Sequence, residues 1–211
     1  MILGVTPARG GSKGIIRKNL VPVAGKPLLA WTIEAARRSR LIDRYVVSTE
    51  DAEIAAVARS YGAEVLERSA ELADDETSTL AVLQHALDRI PAKAVVVLQA
   101  TSPIRNDGLV DRCIRQFVEE AADSLATGFM CKFVEYGRNY RRRQDIDGFF
   151  YDDGNVYVID GALVRRGERY GARMVRVLLD REQSIEIDDP FDLWIADVVL
   201  RAREEGRGCR L

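Results

Sequence analysis

The chain is poor in the residues most active sites lean on. Its 211 residues include a single histidine, His85. That histidine lies in a helical segment beside apolar residues, where a packing or surface role is expected rather than catalysis. No Ser/His/Asp or Cys/His set assembles around it. The three cysteines, Cys113, Cys131 and Cys209, are far apart and form no CxxC pair. That pattern argues against a zinc site and a disulfide framework, and is read as free thiols in a reducing cytoplasm. No apolar run approaches the ~20 residues of a membrane span. The apolar opening Met1–Thr6 is too short for a secretory leader. A soluble, cytoplasmic protein without a membrane partner is expected. With a formal net charge of -2 there is no global case for nucleic-acid binding. Basic residues cluster only locally, at 9–18 and at 138–143, and suit a small polyanion better than a duplex.

What is present is a core. Hydrophobic residues make up 47% of the chain, enough for one α/β domain. Short β-branched runs at Ile2–Thr6, Arg44–Thr49, Glu64–Glu67 and Ala94–Gln99 alternate with helical-period segments at Pro27–Ser39, Asp51–Tyr61 and Thr77–Ile90. This rhythm predicts parallel βαβ units with helices on both faces of the sheet. A further helix is expected near Asp107–Ala122, strands at Val156–Ile159 and Met174–Leu178, and a last helix opening at Asp189-Pro190, an acid cap followed by proline. Residues 130–148 read as a loop or a small excursion from the sheet.

The segments following Thr6, Thr49 and Gln99 fall at the carboxyl ends of the strands, where open α/β sheets bind ligands. Three constellations stand out along the chain. The first is Ala8-Arg9-Gly10-Gly11-Ser12-Lys13-Gly14, followed by Lys18-Asn19. Its glycines allow close backbone approach to an anion and its cations add charge-assisted bonds. It is neither a Walker A loop nor a dinucleotide fingerprint. The bland alternative is a basic surface turn. The second is Gln99-Ala100-Thr101-Ser102-Pro103-Ile104-Arg105, where Gln99 offers both donor and acceptor to a base or sugar; a polar turn is the alternative. The third is Ser184-Ile185-Glu186-Ile187-Asp188, whose two carboxylates share one side of an extended segment. Such a pair suits Mg²⁺, or else is a solvated strand end.

Taken together and in order, these motifs resemble the acylneuraminate cytidylyltransferases. The agreement continues through Val47-Ser48-Thr49, Tyr61-Gly62-Ala63-Glu64-Val65, Arg68, Arg143-Gln144 and Tyr157. The resemblance implies a Rossmann-like nucleotidyltransferase fold in a single domain over 1–211, with a shortened insertion or dimerisation segment near 130–152. It implies transfer of CMP from CTP to the anomeric hydroxyl of a sialic-type acid, with Mg²⁺ as cofactor, in a homodimer. By position, Arg9, Lys13, Lys18 and Asp188 would be catalytic. Ala8, Arg9, Gly10, Gly11, Ser12, Lys13, Lys18, Asn19, Arg68, Ser78 and Gln99 would hold the nucleotide. Gln99, Arg143, Gln144, Asp153 and Tyr157 would hold the sugar acid, and Glu186 with Asp188 the metal. The departures gather on the acceptor side. Glu186 replaces the usual first aspartate of its pair, and Asp153-Gly154-Asn155 stands where Asn-Gly-Ala is usual. A guanylyltransferase acting on a sugar phosphate, or a non-catalytic nucleotide-binding module, are the competing readings.

Overall fold

The computed structural model describes residues 1–74, 76–138 and 141–207; Cys209 and, within the basic stretch at 138–143, Asn139 and Tyr140 lie outside the described residues. The chain runs β1 (Ile2–Pro7), a small hairpin of β2 (Pro22–Val23) and β3 (Lys26–Pro27), α1 (Leu28–Arg38), β4 (Arg44–Thr49), α2 (Ala52–Ser60), β5 (Glu64–Glu67), α3 (Thr79–Arg89) and β6 (Ala94–Val97). It continues through α4 (Leu109–Glu119), β7 (Ser124–Cys131), β8 (Phe149–Asp160), α5 (Gly161–Arg165), β9 (Met174–Leu178) and α6 (Pro190–Glu204).

The main sheet has seven strands in the order β5-β4-β1-β6-β8-β7-β9, and only β8 runs against the others. Helices cover both faces. On one, Leu29 and Ile33 of α1 and Ile54 and Ala58 of α2 pack on Val47, while Ile114 and Phe117 of α4 pack on Val96, Val156 and Val158. On the other, Leu83, Ala86 and Leu87 of α3 meet Leu3, Val5, Val46 and Val95. Each such buried aliphatic side chain contributes roughly 1.5–3 kcal/mol. Caps fix the helix starts: Asp51 accepts from the Glu53 and Ile54 amides, and Asp189 and Asp192 form a reciprocal capping box opening α6.

The stretch expected to be irregular is the connection of a long antiparallel hairpin. β7, which the sequence pattern did not reveal, runs to Cys131, and β8 begins at Phe149, seven residues before the strand expected at Val156. Met174–Leu178 forms the strand expected there and pairs in parallel with β7. None of the described helices is long and apolar enough to cross a membrane.

From β1 the chain steps outward to β4 and β5, then returns to the other side of β1 as β6. A parallel sheet binds ligands at such a reversal, outside the carboxyl ends of its strands. The segments beyond Pro7 and Val97 flank that crevice.

Candidate active site

The loop after β1 is tied down at both ends. The Ala8 amide donates to the Ser48 carbonyl at 2.9 Å, continuing the β1–β4 pairing, and Asn19 Nδ2 donates to the Arg9 carbonyl at 3.0 Å. Between these ties the chain rims a cavity of about 430 Å³. Arg9, Ser12, Lys13, Gly14, Lys18 and Asn19 line one side; Gln99, Ala100 and Thr101 line the floor; Arg68, Leu72, Ala73, Asp74, Thr77 and Thr79 close the far wall. Arg9 Nη1 reaches that wall, donating to the Asp74 carbonyl at 3.1 Å.

The acidic segment comes in from the other direction. The Ile187 amide donates to the Thr101 carbonyl at 2.8 Å, which docks residues 186–188 against the loop after β6. Asp188 lines the cavity, and Lys18 Nζ spans it, donating to the Ile187 carbonyl at 2.7 Å and to Asp188 Oδ1 at 3.2 Å. Glu186 lies beside Thr101, 3.5 Å from its hydroxyl. Burial, with Asp188 and Asp152 as neighbouring like charges, pushes the Glu186 carboxyl up to about 7. A cation between Glu186 and Asp188 would relieve that repulsion, so the donor set fits a hard divalent ion.

Gly14 shows how closely the two halves meet. A side-chain carbon there would run into the Asp188 backbone carbonyl, so the loop can approach only as glycine. Gly14→Ala is expected to raise the KM for nucleotide about tenfold by pushing the loop off the acidic segment, since misplacements of about 1 Å carry effects of that order or more. Initial rates at varied nucleotide check it, and an unchanged KM refutes it.

The remaining candidate residues lie elsewhere. Gly10 and Gly11 belong to the loop but do not line the cavity, and the Gly10 amide points at Glu50 Oε1, 2.6 Å away. Ser78 caps α3 by accepting from the Ala81 amide at 3.2 Å, between the cavity-lining Thr77 and Thr79. Arg143 and Gln144 sit exposed on the β7–β8 connection, with the Arg143 guanidinium 5.7 Å from the Phe133 ring centre. Asp153 is fully buried, and its carboxylate accepts from the Thr127 hydroxyl (2.7 Å), the Ser184 hydroxyl (2.9 Å) and the Asn155 amide (3.0 Å). It braces β7, β8 and the acidic segment from inside. Tyr157 donates to Asp152 Oδ1 at 2.6 Å, and the Arg169 guanidinium lies 4.4 Å above its ring. These side chains line a second cavity of about 180 Å³, with Phe150 and Tyr170. A void of about 10 Å³ shares Thr79 with the first cavity and Tyr157 and Arg169 with the second.

Other residues act from outside the cavity lining. Glu50 and Asp51 hold the 9–18 loop from behind; in the sequence they read as an ordinary strand end and helix cap. Arg105, 7% exposed, is a buried hub: its guanidinium donates to the Gln99 carbonyl (2.7 Å), the Asn155 carbonyl (2.8 Å) and the Thr32 hydroxyl (2.8 Å). His85 is half-buried on α3 and does not line the first cavity. Cys113 and Cys131 are buried free thiols.

A mostly parallel sheet with a basic loop after its first strand, facing Asp188 across the switch point, is the layout of a nucleotidyltransferase. Known structures share this architecture. A CMP-2-keto-3-deoxy-manno-octonic acid synthetase solved with CTP superposes with a TM-score of 0.76 at 15% identity, covering 96% of this chain and 99% of that one. A 4-diphosphocytidyl-2C-methyl-D-erythritol synthase from Anaerococcus prevotii gives 0.69 at 13% identity, over 95% and 96%. The cytidylyltransferase family model matches residues 3–150, and the chain belongs to that family. It is 37% identical to a pseudaminic acid cytidylyltransferase of Campylobacter jejuni, over 96% of this chain and 97% of that protein. It is 28% identical to an N-acylneuraminate cytidylyltransferase of Escherichia coli, over 96% of this chain but 52% of the relative, and 31% identical to one from Danio rerio, over 90% and 48%. The chain thus spans about half the length of these last two relatives.

Proposed function

We propose that this protein transfers CMP from CTP to the anomeric hydroxyl of a nonulosonic acid and releases pyrophosphate. The observation that carries the reading is the 430 Å³ cavity itself, in which Arg9, Lys13 and Lys18 face Asp188 across the carboxyl ends of β1 and β6. The relatives named for N-acylneuraminate and pseudaminic acid supply the substrate class.

In this reading the triphosphate lies along the 9–18 loop, with Asn19, Arg68 and the Thr77–Thr79 segment around the nucleoside. The anomeric oxygen forms its bond to the α-phosphorus and gives up its proton to water, while the bond from that phosphorus to the bridging oxygen breaks and pyrophosphate leaves with the electron pair. Arg9, Lys13 and Lys18 stabilise the charge that builds on the phosphoryl oxygens; such transfers need positioned cations more than covalent chemistry. Glu186 and Asp188 would hold Mg²⁺, which supplies further charge neutralisation when bound. The acceptor takes the second cavity, where Tyr157 and Asp152 offer hydroxyl and carboxylate contacts and Arg169 a cation, while Gln99 lines the nucleotide cavity. Arg143 and Gln144, on the β7–β8 connection, are assigned to the sugar acid of a partner subunit in a homodimer, in keeping with the exposed Phe133, Val134 and Tyr136 on the same connection. The reaction is placed in the cytoplasm.

Pyrophosphate release measured over the four nucleoside triphosphates, each with a panel of nonulosonic acids and sugar phosphates, with and without Mg²⁺, tests the reading. Turnover is expected with CTP, a nonulosonic acid and Mg²⁺ together. Turnover with GTP and a sugar phosphate alone would replace it with a guanylyltransferase, and binding without turnover would leave a nucleotide-binding module.

A further inference from the structure

A phosphate-binding loop is expected to aim its backbone amides at the anion, yet the Gly10 amide points away from the cavity. It donates at 2.6 Å to Glu50 Oε1, at the end of β4. The other oxygen of the same carboxylate accepts from Arg68, at 3.3 Å from Nε and 3.2 Å from Nη2. Glu50 therefore joins the triphosphate loop and the far wall of the cavity through one side chain.

The loop is fastened to the same acidic turn elsewhere. Arg17 pairs with both oxygens of Asp51, at 2.5 and 3.1 Å, and with Glu53 at 2.6 Å. Gly10 packs so closely on Asp51 that a side-chain carbon at that position would collide with its carboxylate. Arg68 has little freedom: its side chain is 3% exposed, and burial pulls its guanidinium below the usual arginine range. Its Nη1 is buried without a partner although the residue lines the cavity. A buried donor of that kind is costly unless a ligand takes it.

We infer that Glu50 is a positioning residue for nucleotide binding, holding the loop and Arg68 in one fixed spacing so that Nη1 stands ready for the nucleotide. Glu50 itself does not line the cavity and touches no reacting atom. This rests on the nucleotide site as read above, but not on the identity of the acceptor.

Glu50→Gln and Glu50→Ala test it, with the Kd of CTP measured calorimetrically without acceptor, alongside steady-state kinetics and melting temperature. Glu50→Gln keeps an acceptor for the Gly10 amide but removes the counter-charge of Arg68. It is expected to weaken CTP binding about tenfold, in line with a hydrogen bond to a charged group, and to raise the KM for CTP in proportion. The KM for acceptor and kcat should stay within about twofold. Glu50→Ala should weaken binding further, and in an Arg68→Ala background its effect on Kd should shrink, because the two residues act as a unit. CTP affinity unchanged in Glu50→Gln, or effects of Glu50→Ala and Arg68→Ala on Kd that simply add, would overturn the inference. A lowered melting temperature with an unchanged CTP Kd would also overturn it, leaving Glu50 only a structural brace. Wild-type protein that binds CTP but transfers nothing would count against the proposed reaction and leave this test standing.

Discussion

Lys18→Ala is expected to lower kcat about 10²–10³-fold, the range seen when one preorganised donor to developing charge is removed. Lys18 is the cation that joins the two halves of the site. Its ammonium lies 2.7 Å from the Ile187 carbonyl and 3.2 Å from Asp188 Oδ1, on a side chain only 14% exposed. Its backbone sits in a short 3-10 turn at Lys18–Leu20, closed by a hydrogen bond that the Val21 amide donates to the Lys18 carbonyl. The lysine is therefore held in place and does not sweep through solvent. Asp188→Ala should produce a loss of similar size, because it removes the partner of Lys18 and one of the two carboxylates proposed for the cation. Both variants should keep a melting temperature close to the parent, since Asp188 is exposed and an ion pair of this kind contributes little to stability. The informative measurement is the double variant. If the pair works as a unit, the combined loss in kcat will be far smaller than the product of the two single losses. Parent-like turnover in Lys18→Ala would remove that residue from the chemistry.

Sequence patterning captured the elements whose local composition marks them, whether buried like β4 or half-exposed like β5 and β9. β4, β5 and β9 match their expected ranges, and α1, α2 and α6 start within a residue of theirs; acid caps mark α2 and α6, while α1 follows Pro27 without a side-chain cap and shows in its apolar spacing. β7 escaped because Ser124-Leu-Ala-Thr-Gly-Phe-Met-Cys mixes small, polar and apolar residues without a period of two. It is a strand because β8 and β9 pair with it on either side. The first half of β8, Phe149-Phe-Tyr-Asp-Asp-Gly, carries exposed and charged side chains, so only its buried end at Val156–Ile159 was legible.

The site divides the same way. The 9–18 loop, Gln99 and the Glu186–Asp188 pair are contiguous motifs whose chemistry shows in their composition. Glu50 works through a contact 40 residues away in sequence, with Gly10, and nothing local marks it; Arg105 closes a legible motif, but its contact with Asn155, 50 residues on, does not show in that motif. Asp153 was expected to face the sugar. Its burial follows from the left-handed Gly154 (φ 69°), which brings the Asn155 amide round onto the Asp153 carboxylate, where Thr127 and Ser184 also converge.

Arg105→Ala is expected to be the most destabilising single change in the site, by about 3 kcal/mol or more, because each buried acceptor left without a donor costs roughly 1–3 kcal/mol. The guanidinium serves three, the Gln99 and Asn155 carbonyls and the Thr32 hydroxyl; the Gln99 carbonyl also accepts from the Thr32 hydroxyl at 3.2 Å and the Ser102 amide at 3.4 Å, so the loss falls on the Asn155 carbonyl and the Thr32 hydroxyl. Burial holds Arg105 down to about 10, still a cation at neutral pH, so its charge is part of what those oxygens are paired with. A loss of that size lowers the melting temperature by roughly 6–12 °C in a chain of this length. Arg105→Met separates packing from hydrogen bonding. It restores most of the side-chain volume but none of the donors, so it should recover less than half of the lost stability. Because the Gln99 carbonyl is one of the three acceptors, both variants should also weaken nucleotide binding at temperatures where they remain folded. Calorimetric unfolding and CTP titration at 15 °C check the two effects separately. A methionine variant as stable as the parent would mean that packing, not the donor fork, holds the loop after β6 in place.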